Sequence, residues 1–495
     1  MSVETELKLR MTPEHLARLR RHALFKKHQI TAPVSRRLYN VYYDTPDLFL
    51  QKNRMALRIR RDNGLWLQTL KGGGQVMGGL HLRDEWEVPV PSAALDFSGL
   101  DEKIWEKHLP AAIRGDLQPV FVTDFSRSSR LLEWQGAVIE VCMDHGQVKT
   151  DNKSAPICEV ELELKSGEGR HLFELAKALL DIAPFELEVV SKAELGFRLV
   201  EGKSEQPVKG SVPKLARRDS LTEGLQTLIW SCLLHLQGNL RGAMAGTDPE
   251  YLHQMRIALR RLRVVLRMAH EVSRDDELAA LRGELSELGA MLGAIREWDV
   301  FIDGIAALLS EHAGLQTLLE NSERQRAECC AVLHAQARKL QQLMLRFAIW
   351  MNGPYWETAR QEDTTAGDFA ARYLSRLYRR YTRTPFQGLD AERLHELRIH
   401  AKKLRYGAEF FASIFDARKT KSFIAALGEV QETLGQINDI SVAHRLLEKL
   451  AGNIAIGRDE IAFVGSNLEK RLPKKIKLLE KHARAFDRHS AFWEK

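Results

Sequence analysis

Two hydrophobic periodicities divide the chain. Over about the first two hundred residues, apolar and polar positions alternate with a period of two in several short segments, a pattern that predicts β-strands. From about Ser220 onward the period lengthens to about 3.6, in long stretches rich in Leu, Ala, Arg and Glu that predict helices. The predicted strands are 38–45, 55–61, 65–71, 83–90, 137–146 and 158–165, with helical segments at 13–26 and 169–180. We therefore expect a multidomain α+β protein, in which an antiparallel β-barrel or sandwich precedes an all-α domain.

A stretch without apolar periodicity separates the two halves. Residues 201–218 contain Gly, Ser, Pro, Lys and Gln, which is typical of a linker. A chain of 495 residues has room for two or three domains. We place the first domain at 1–200 and the second at 219–495.

The opening strand carries charge on one face. In ETELKLR, residues 4–10, both glutamates and the lysine project from the same face, because side chains alternate along a strand. The same acid-acid-base triplet returns in ELELK at 161–165, with Glu159 one step earlier. Further charges at alternate positions, or at the end of a predicted strand, are Arg58 and Arg60; Arg83, Glu85 and Glu87; and Lys71, while Lys192 follows in the late segment 191–199.

These charged faces have two explanations. A charged strand face usually points to water, but here the set consists of Glu, Arg and Lys, and a near-identical triplet occurs twice. If the faces converge inside a closed barrel, carboxylates and cations share one lumen, which is costly unless the charges pair or hold ligands. A polyphosphate chain with a divalent metal would satisfy both sets, because Lys and Arg bind phosphate oxygens and carboxylates bind hard cations.

Eight motifs occur in order along the first two hundred residues. They are ETELK at 4–8, YYDT at 42–45, LRIR at 57–60, TLK at 69–71, RDEWE at 83–87, DHG at 144–146, EVELELK at 159–165 and SKAELGFRL at 191–199. Together they resemble the CYTH superfamily, the triphosphate tunnel metalloenzymes. The resemblance implies an eight-stranded antiparallel β-barrel with a charged tunnel, and hydrolysis of a triphosphate with Mg²⁺ or Mn²⁺ as cofactor.

The resemblance also implies roles for individual residues. The metal would be held by Glu4, Glu6, Glu159 and Glu161, with Glu163 as a further candidate in the same run. The phosphates would be bound by Lys8, Arg58, Arg60, Lys71, Arg127 and Lys192, with Arg130 and Arg198 as further candidates. Glu85 and Glu87 would position a second metal or the attacking water. The implied chemistry is metal-assisted phosphoryl transfer to water, in which Lys8, Arg58 and Arg60 spread the charge of the transferring group.

The helical half contains an internal repeat. The segment HQMRIALRRLRVVLR at 253–267 aligns with HELRIHAKKLRYGAE at 395–409, at an offset of 142 residues. At the same offset, LGAIR at 292–296 aligns with LGQIN at 434–438. A repeat of this length predicts two copies of one helical unit, at about 219–360 and 361–495. Each copy has room for about four helices, so we expect two four-helix bundles.

Each copy of the repeat carries a basic stripe. Residues three or four apart lie on one helix face, and the two stripes are His253, Arg256, Arg260, Arg263 and Arg267, and His395, Arg398, Lys402 and Arg405. A solvated face is the ordinary explanation, but the first stripe has no interleaved acid and the spacing is duplicated. The stripes would then form a groove for an extended polyanion, with salt-sensitive binding. They resemble the CHAD domain, a resemblance that implies binding of inorganic polyphosphate.

Composition adds three expectations. A net charge of +7 and a pI near 9.0 favour an anionic partner, and we expect inorganic triphosphate and polyphosphate rather than nucleic acid. Five cysteines without a CxxC pair indicate reduced thiols and hence a cytoplasmic protein. The acidic residues within the first ten argue against a signal peptide, and no apolar run is long enough to span a membrane.

Three functions are compatible with these patterns. The leading hypothesis is an inorganic triphosphatase with a polyphosphate-binding helical domain, because both halves would then recognise the same chemistry. A class IV adenylyl cyclase would use the same tunnel but must also hold adenine. A non-catalytic polyphosphate-binding protein would need no metal carboxylates, of which the sequence offers a full set.

Overall fold

The structure is a computed structural model. It describes residues 2–62, 64–77, 80–246, 248–272, 274–312, 314–359, 364–383, 390–452 and 457–494, and gives the backbone alone for 2–4, 73–77 and 80–83. The chain forms two compact units. The first unit comprises Met1–Gln206 and Arg338–Gly353, and the second comprises Pro207–Ala337 and Pro354–Lys495. The boundary after Gln206 falls inside the predicted linker.

Strands are confined to the first unit in the described part of the chain, and helices occur in both units. The strands are β1 (Ser2–Arg10), β2 (Val34–Asp44), β3 (Ala56–Asp62), β4 (Leu65–Met77), β5 (Leu80–Val90), β6 (Gln118–Trp134), β7 (Ala137–Lys149), β8 (Ser154–Ser166) and β9 (Glu186–Glu188). The helices are α1 (Pro13–Arg20), α2 (Ala23–His28), α3 (Phe49–Lys52), α4 (Glu102–His108), α5 (Ala111–Arg114), α6 (Arg170–Ile182), α7 (Lys192–Glu201), α8 (Leu221–Ala245), α9 (Pro249–Val272), α10 (Asp276–Ala306), α11 (Leu315–Ala335), α12 (Ala337–Met351), α13 (Tyr355–Ala359), α14 (Ala366–Thr382), α15 (Ala391–Phe410), α16 (Ala417–Ala451) and α17 (Arg458–Phe486).

The strands form one antiparallel sheet in the order β5-β4-β3-β2-β6-β7-β8-β1-β9. Strand β1 also pairs with β5, along residues 2–7 of β1 and 80–85 of β5. The sheet has nine strands where eight were expected, because β9 pairs with the end of β1. Three residues are too short to show a hydrophobic period, which is why the sequence did not predict β9. An antiparallel sheet followed by helices confirms the α+β class.

Both faces of β1 are buried. Leu7 and Leu9 are fully buried on one face, and helix α6 packs against β1 and β8. Glu6 and Lys8, on the other face, are only 6% and 4% exposed. The charged face of this strand therefore lies inside the first unit rather than in water.

Segment 191–199 forms a helix, although its lysine was grouped with the charged strands. Ser191 caps α7 by accepting a hydrogen bond from the backbone N–H of Glu194. Gly196 lets the helix approach β6, since a Cβ atom there would lie 2.1 Å from the ring of Phe121. The first residue of α7, Lys192, is thereby held against the sheet.

The second unit repeats its helix order. Helix α9 begins at residue 249 and α15 begins at residue 391, which is the 142-residue offset of the sequence repeat. Helices α8 to α11 are followed by α14 to α17, and α12, which belongs to the first unit, and the short helix α13 lie between these two sets in the chain. In the described residues, no helix combines the length and the apolar character needed to cross a bilayer.

Helix α12 belongs to the first unit, although its sequence lies inside the predicted helical domain. Its Arg338 forms an ion pair with Asp181 at 2.8 Å. The side-chain oxygen of Gln341 accepts a hydrogen bond from the backbone N–H of Leu187 in β9, at 3.3 Å. A domain boundary drawn at one linker therefore misses this helix.

Candidate functional site

The charged strand faces line a cavity of about 760 Å³ in the first unit. Its lining includes eight basic residues, which are Lys8, Arg36, Arg58, Arg60, Lys71, Arg127, Lys165 and Lys192. Its acidic residues are Glu6, Asp62, Glu85, Glu87, Glu140, Glu161 and Glu163. Side chains of both signs thus face one shared space, which supports the interpretation that these strand faces are not solvated.

Three buried carboxylates form a group beside this cavity, which we call the carboxylate group. Asp144, Glu159 and Glu161 each offer one oxygen, and these oxygens lie within 4.8 Å of one another. Asp144 on β7 lies directly opposite Glu159 on β8. Glu161 follows two positions later on the same face, because the strand period is two. Carboxylate oxygens this close together suit a hard divalent cation.

Lysines surround the carboxylate group. Lys192 Nζ lies 2.7 Å from Asp144 Oδ2 and 2.9 Å from Glu161 Oε1, and it also contacts Glu159. Lys8 donates to Glu161 and lies 3.0 Å from Glu6 Oε1. Burial opposes the charge of both lysines, but the neighbouring acids raise the pKa of each above its usual value. Both ammonium groups are therefore charged at neutral pH.

The carboxylates respond to these cations unequally. Burial alone would raise the pKa of Glu161, but Lys192, Lys8 and Arg127 hold it well below its usual range. Burial raises the pKa of Glu159, because its lysine partners do not offset burial and the adjacent acids. Glu161 is therefore the most firmly ionised of the three carboxylates. It contacts Lys8, Lys192 and Arg127.

A second region of the cavity is rich in cations. Burial, and then Arg58 and Arg127, lower the pKa of Arg60 to about 10. Arg60 Nε donates to the Asn40 side chain at 2.9 Å, and among the described residues it forms no ion pair with a carboxylate. Although burial alone would raise the pKa of Tyr42, Arg58, Arg60 and Lys71 lower it. The positive charge of Arg60 is therefore not balanced by a carboxylate at ion-pair distance within the described residues.

The acids on β5 lie at the side of this cation-rich region. Glu85 lies 3.0 Å from Lys71 and 3.6 Å from Arg58. Glu87 accepts a hydrogen bond from the hydroxyl of Thr69 at 2.8 Å. Both acids line the cavity, so the structure brings them together with the predicted phosphate-binding residues.

Three predicted residues stand apart from this arrangement, and the side chain of a fourth, Glu4, lies outside the described residues. Arg130 does not line the cavity: it lies over the ring of Phe25 at 5.0 Å, because it is three residues from Arg127 and so faces the other side of β6. Arg198 does not line it either, and pairs with Glu194 at 2.5 Å. Glu163 lines the cavity but lies outside the carboxylate group, where Lys165 binds it at 2.6 Å.

Asp144 is the main residue that the sequence analysis missed. It occurs in the DHG motif, but only the glutamates were assigned to metal. A signal was present, since Glu140 and Asp144 lie at even positions of one predicted strand and therefore share a face. Its importance becomes visible only with the cross-strand register, which places it opposite Glu159.

The second unit brings parts of the two basic stripes together, because α9 packs against α15. Arg256 and Arg260 on α9 lie near Arg398 and Lys402 on α15. Burial, and then Arg398, Arg260 and Arg256, lower the pKa of Lys402 to about 6, although Asp439 opposes them. Burial and neighbouring arginines lower the pKa of Arg256 to about 10. We call Arg256, Arg260, Arg398 and Lys402 the basic cluster.

Other stripe residues lie elsewhere. His395 lines a cavity together with Arg256 and Arg398, and burial, with Arg296 nearby, lowers the pKa of His253. Arg263 and Arg267 lie near each other and outside that cavity's lining. Arg405 is held by Glu409 at 2.9 Å, so its charge is already compensated. Arg405 thus differs from the other stripe residues, and its role in polyphosphate binding stays a prediction.

Comparison with known proteins finds a matching domain family for each of the two units. Residues 2–194 match the CYTH domain family, and residues 227–448 match the CHAD domain family. An inorganic triphosphatase from Haemophilus influenzae is 36% identical over 204 residues, which are 40% of this chain and 55% of that protein. The matched segment thus spans about half the length of this relative.

Two further relatives extend the comparison. An uncharacterized protein of Mycobacterium tuberculosis is 24% identical over 470 residues, covering 86% of this chain and 84% of its own length. The crystal structure of the CHAD domain from the plant Ricinus communis covers 57% of this chain and 98% of its own, at 29% identity and a TM-score of 0.51. The helical fold of the second unit is thus shared with that domain.

Proposed function

Since this chain contains a CYTH domain followed by a CHAD domain, we propose that its first unit hydrolyses inorganic triphosphate to diphosphate and phosphate, and that its second unit binds polyphosphate. The name of the Haemophilus relative supports the choice of substrate. The reaction takes place in the charged cavity of the first unit.

One observation carries this proposal: the cation-rich region lines the cavity, and the carboxylate group lies beside it with Glu161 in the lining. Arg60 lies near Arg58 and Arg127 and forms no ion pair among the described residues, and burial and these two arginines lower its pKa. A triphosphate supplies the missing negative charge along its chain. Arginine binds phosphate oxygens through paired N–H groups, so these residues bind and orient the substrate.

The carboxylate group fits a divalent metal. Asp144, Glu159 and Glu161 are all buried and their oxygens lie within 4.8 Å of one another. Together with Glu4 and Glu6 they would hold Mg²⁺ or Mn²⁺, which when bound neutralises phosphate oxygens and favours attack by water. Lys8 and Lys192 lie beside the same carboxylates, so they hold phosphate oxygens next to the metal-binding position. Glu85 and Glu87 then orient the attacking water.

The sheet pairing supports a tunnel. Strand β1 pairs with β8 and also with β5, and these two strands stand far apart in the sheet order. We propose that this pairing turns the sheet into a barrel around the cavity, with β9 as a short addition. The repeated helix order of the second unit likewise supports two related four-helix bundles.

Phosphate release from tripolyphosphate tests the activity. We expect Arg60→Gln to lower kcat/KM by about 10²-fold, the usual effect of removing one preorganised donor. The matched control is Arg61→Gln, because Arg61 is exposed, faces the other side of β3 and lies over Trp66 at 5.5 Å. Equal rates for the two variants would reject the site.

The same assay with ATP separates hydrolysis from cyclisation. A tunnel that cleaves triphosphate releases phosphate from tripolyphosphate with Mg²⁺ or Mn²⁺ present, and chelation of the metal stops it. Cyclic AMP from ATP, without phosphate release from tripolyphosphate, would assign the first unit to adenylyl cyclisation instead.

A further inference from the structure

The second unit contains a cavity of about 460 Å³ with an unusual lining. Basic side chains meet an extended apolar wall contributed by α10, α16 and α17. The basic residues are Arg256, Arg296, His395, Arg398 and Arg471. The apolar residues include Phe301, Ile305, Ile440, Val442, Val464 and Leu468. The volume is in the range of small-molecule sites in proteins.

Positive charge outweighs negative charge in this cavity, because four arginines line it against the two acids Glu297 and Asp439. The Nε atoms of Arg256 and Arg398 are buried, and among the described residues neither has a hydrogen-bond partner. Among the described residues, no carboxylate forms an ion pair with the guanidinium of Arg256 or Arg398. A buried, unpaired donor of this kind costs free energy that a phosphate group removes.

The apolar wall is the edge of the hydrophobic core of the second unit, to which Phe301, Ile305 and Leu468 belong. Inorganic polyphosphate has no apolar surface to place against this edge. A ligand with an apolar or aromatic group beside its phosphates would make contact with it.

Amide side chains in the lining distinguish between two kinds of apolar group, an aliphatic chain and a nucleobase. Gln436, Asn438 and Asn467 line the cavity, and the buried oxygen of Gln436 has no partner within the described residues. An aliphatic chain would leave the Gln436 oxygen unpaired, whereas a nucleobase edge that carries an N–H group can donate a hydrogen bond to it. The lining therefore matches a heterocycle better than an isoprenoid.

We propose that this cavity binds a nucleoside polyphosphate, with its phosphates on Arg256 and Arg398 and its base against the apolar wall. The proposal rests on the proposed role of the second unit as a polyanion-binding unit. It adds that the unit distinguishes a polyphosphate with a nucleoside end from an inorganic one.

Two glycines on α10 supply a matched pair of variants. Gly304 lines the cavity, and a Cβ atom there would meet no heavy atom within 4 Å. Gly283 is exposed on the same helix and has the same open surroundings, but does not line the cavity. Gly304→Leu thus fills the cavity, while Gly283→Leu makes the same chemical change outside it.

Calorimetry on the full chain in EDTA measures the binding of ATP and of tripolyphosphate. We expect a site that binds ATP about tenfold more tightly than tripolyphosphate, because the buried base adds apolar contact. Gly304→Leu should abolish this preference, and Gly283→Leu should retain it. Asn467→Ala provides a second variant: it should weaken ATP binding without affecting tripolyphosphate, even if Gly304→Leu fails to fold.

The variant Arg398→Ala distinguishes a failure of this inference from a failure of the proposed polyanion binding by the second unit. Unchanged binding of both ligands in Arg398→Ala would reject the polyanion site and this inference with it. If Arg398→Ala weakens tripolyphosphate binding, but neither Gly304→Leu nor Asn467→Ala reduces ATP binding relative to Gly283→Leu, only the nucleoside inference is overturned. Tighter binding of farnesyl diphosphate than of ATP, lost in Gly304→Leu, would overturn it in favour of an isoprenoid.

Discussion

Arg127 and Asp144 face each other across strands β6 and β7 and form a two-bond ion pair. Arg127 Nε lies 2.8 Å from Asp144 Oδ1, and Arg127 Nη2 lies 2.7 Å from Asp144 Oδ2. Asp144 is fully buried and also binds Lys192, and the two cations hold its pKa below its usual value although burial opposes this. One carboxylate thus positions two cations of the proposed phosphate site.

We expect Asp144→Asn to destabilise the first unit strongly. The amide removes the buried carboxylate that pairs with both Arg127 and Lys192 and leaves them only the glutamates, and breaking a buried pair costs about 3–5 kcal/mol. The control is Asp124→Asn, whose partner Arg37 is 76% exposed, so the loss should stay below about 1 kcal/mol. Urea-induced unfolding measures both, and equal unfolding midpoints for the two variants would contradict the assignment.

The sequence predicted the charged faces because a strict period of two is visible in one strand. Glu6 with Lys8, and Glu159 with Glu161, could be assigned to one face without any structure. Parity alone also separates Arg127 from Arg130, because residues three apart on a strand lie on opposite faces. The pairing of Asp144 with Glu159 depends on the register between strands, which no single segment contains.

Helix α7 and strand β6 show a second limit. Ser191 and Glu194 have the spacing of an N-terminal helix cap, so the helical state of 191–199 was readable from the sequence. Strand β6 was not predicted, although it spans 17 residues. In the helical half, helix spacing predicted which residues share a face, but not that Glu409 on the same helix compensates Arg405.

Polyanion binding to the second unit should take up protons. Burial and then Arg398, Arg260 and Arg256 lower the pKa of Lys402 to about 6, so its amine is mostly neutral at pH 7.5. A bound phosphate chain favours the charged form and raises this pKa. We expect uptake of up to about one proton, measured by calorimetry of tripolyphosphate binding in two buffers of different ionisation enthalpy.

Lys402→Met is the control for this proton uptake, because methionine has a similar length and does not titrate. The variant should show less uptake at pH 7.5 than the wild type, and its affinity should fall less steeply between pH 6 and pH 9. Identical uptake in both proteins would show that another group takes up the proton.

The same lysine should make folding stability depend on pH. Its pKa is about 6 in the folded chain and 10.5 as the ordinary value, so between these values the unfolded chain binds more protons. The contribution of Lys402 to the free energy of unfolding therefore rises as the pH increases from about 6 to 10.5. We expect Lys402→Met to be more stable than the wild type at pH 7, and the difference in Tm to shrink by pH 10. A difference that does not change with pH would contradict the lowered pKa.

The position of Lys192 should depend on a glycine one helical turn later. A Cβ atom at Gly196 would lie 2.1 Å from the ring of Phe121, so Gly196→Ala must push α7 away from β6 and move Lys192 from Asp144 and Glu161. We expect at least a tenfold loss of triphosphatase kcat and a lower Tm. Gly428→Ala on α16, where nothing lies within 4 Å, is the control and should raise stability by about 0.5–1 kcal/mol without changing kcat. Full activity in Gly196→Ala would show that the placement of Lys192 does not depend on the contact between α7 and β6.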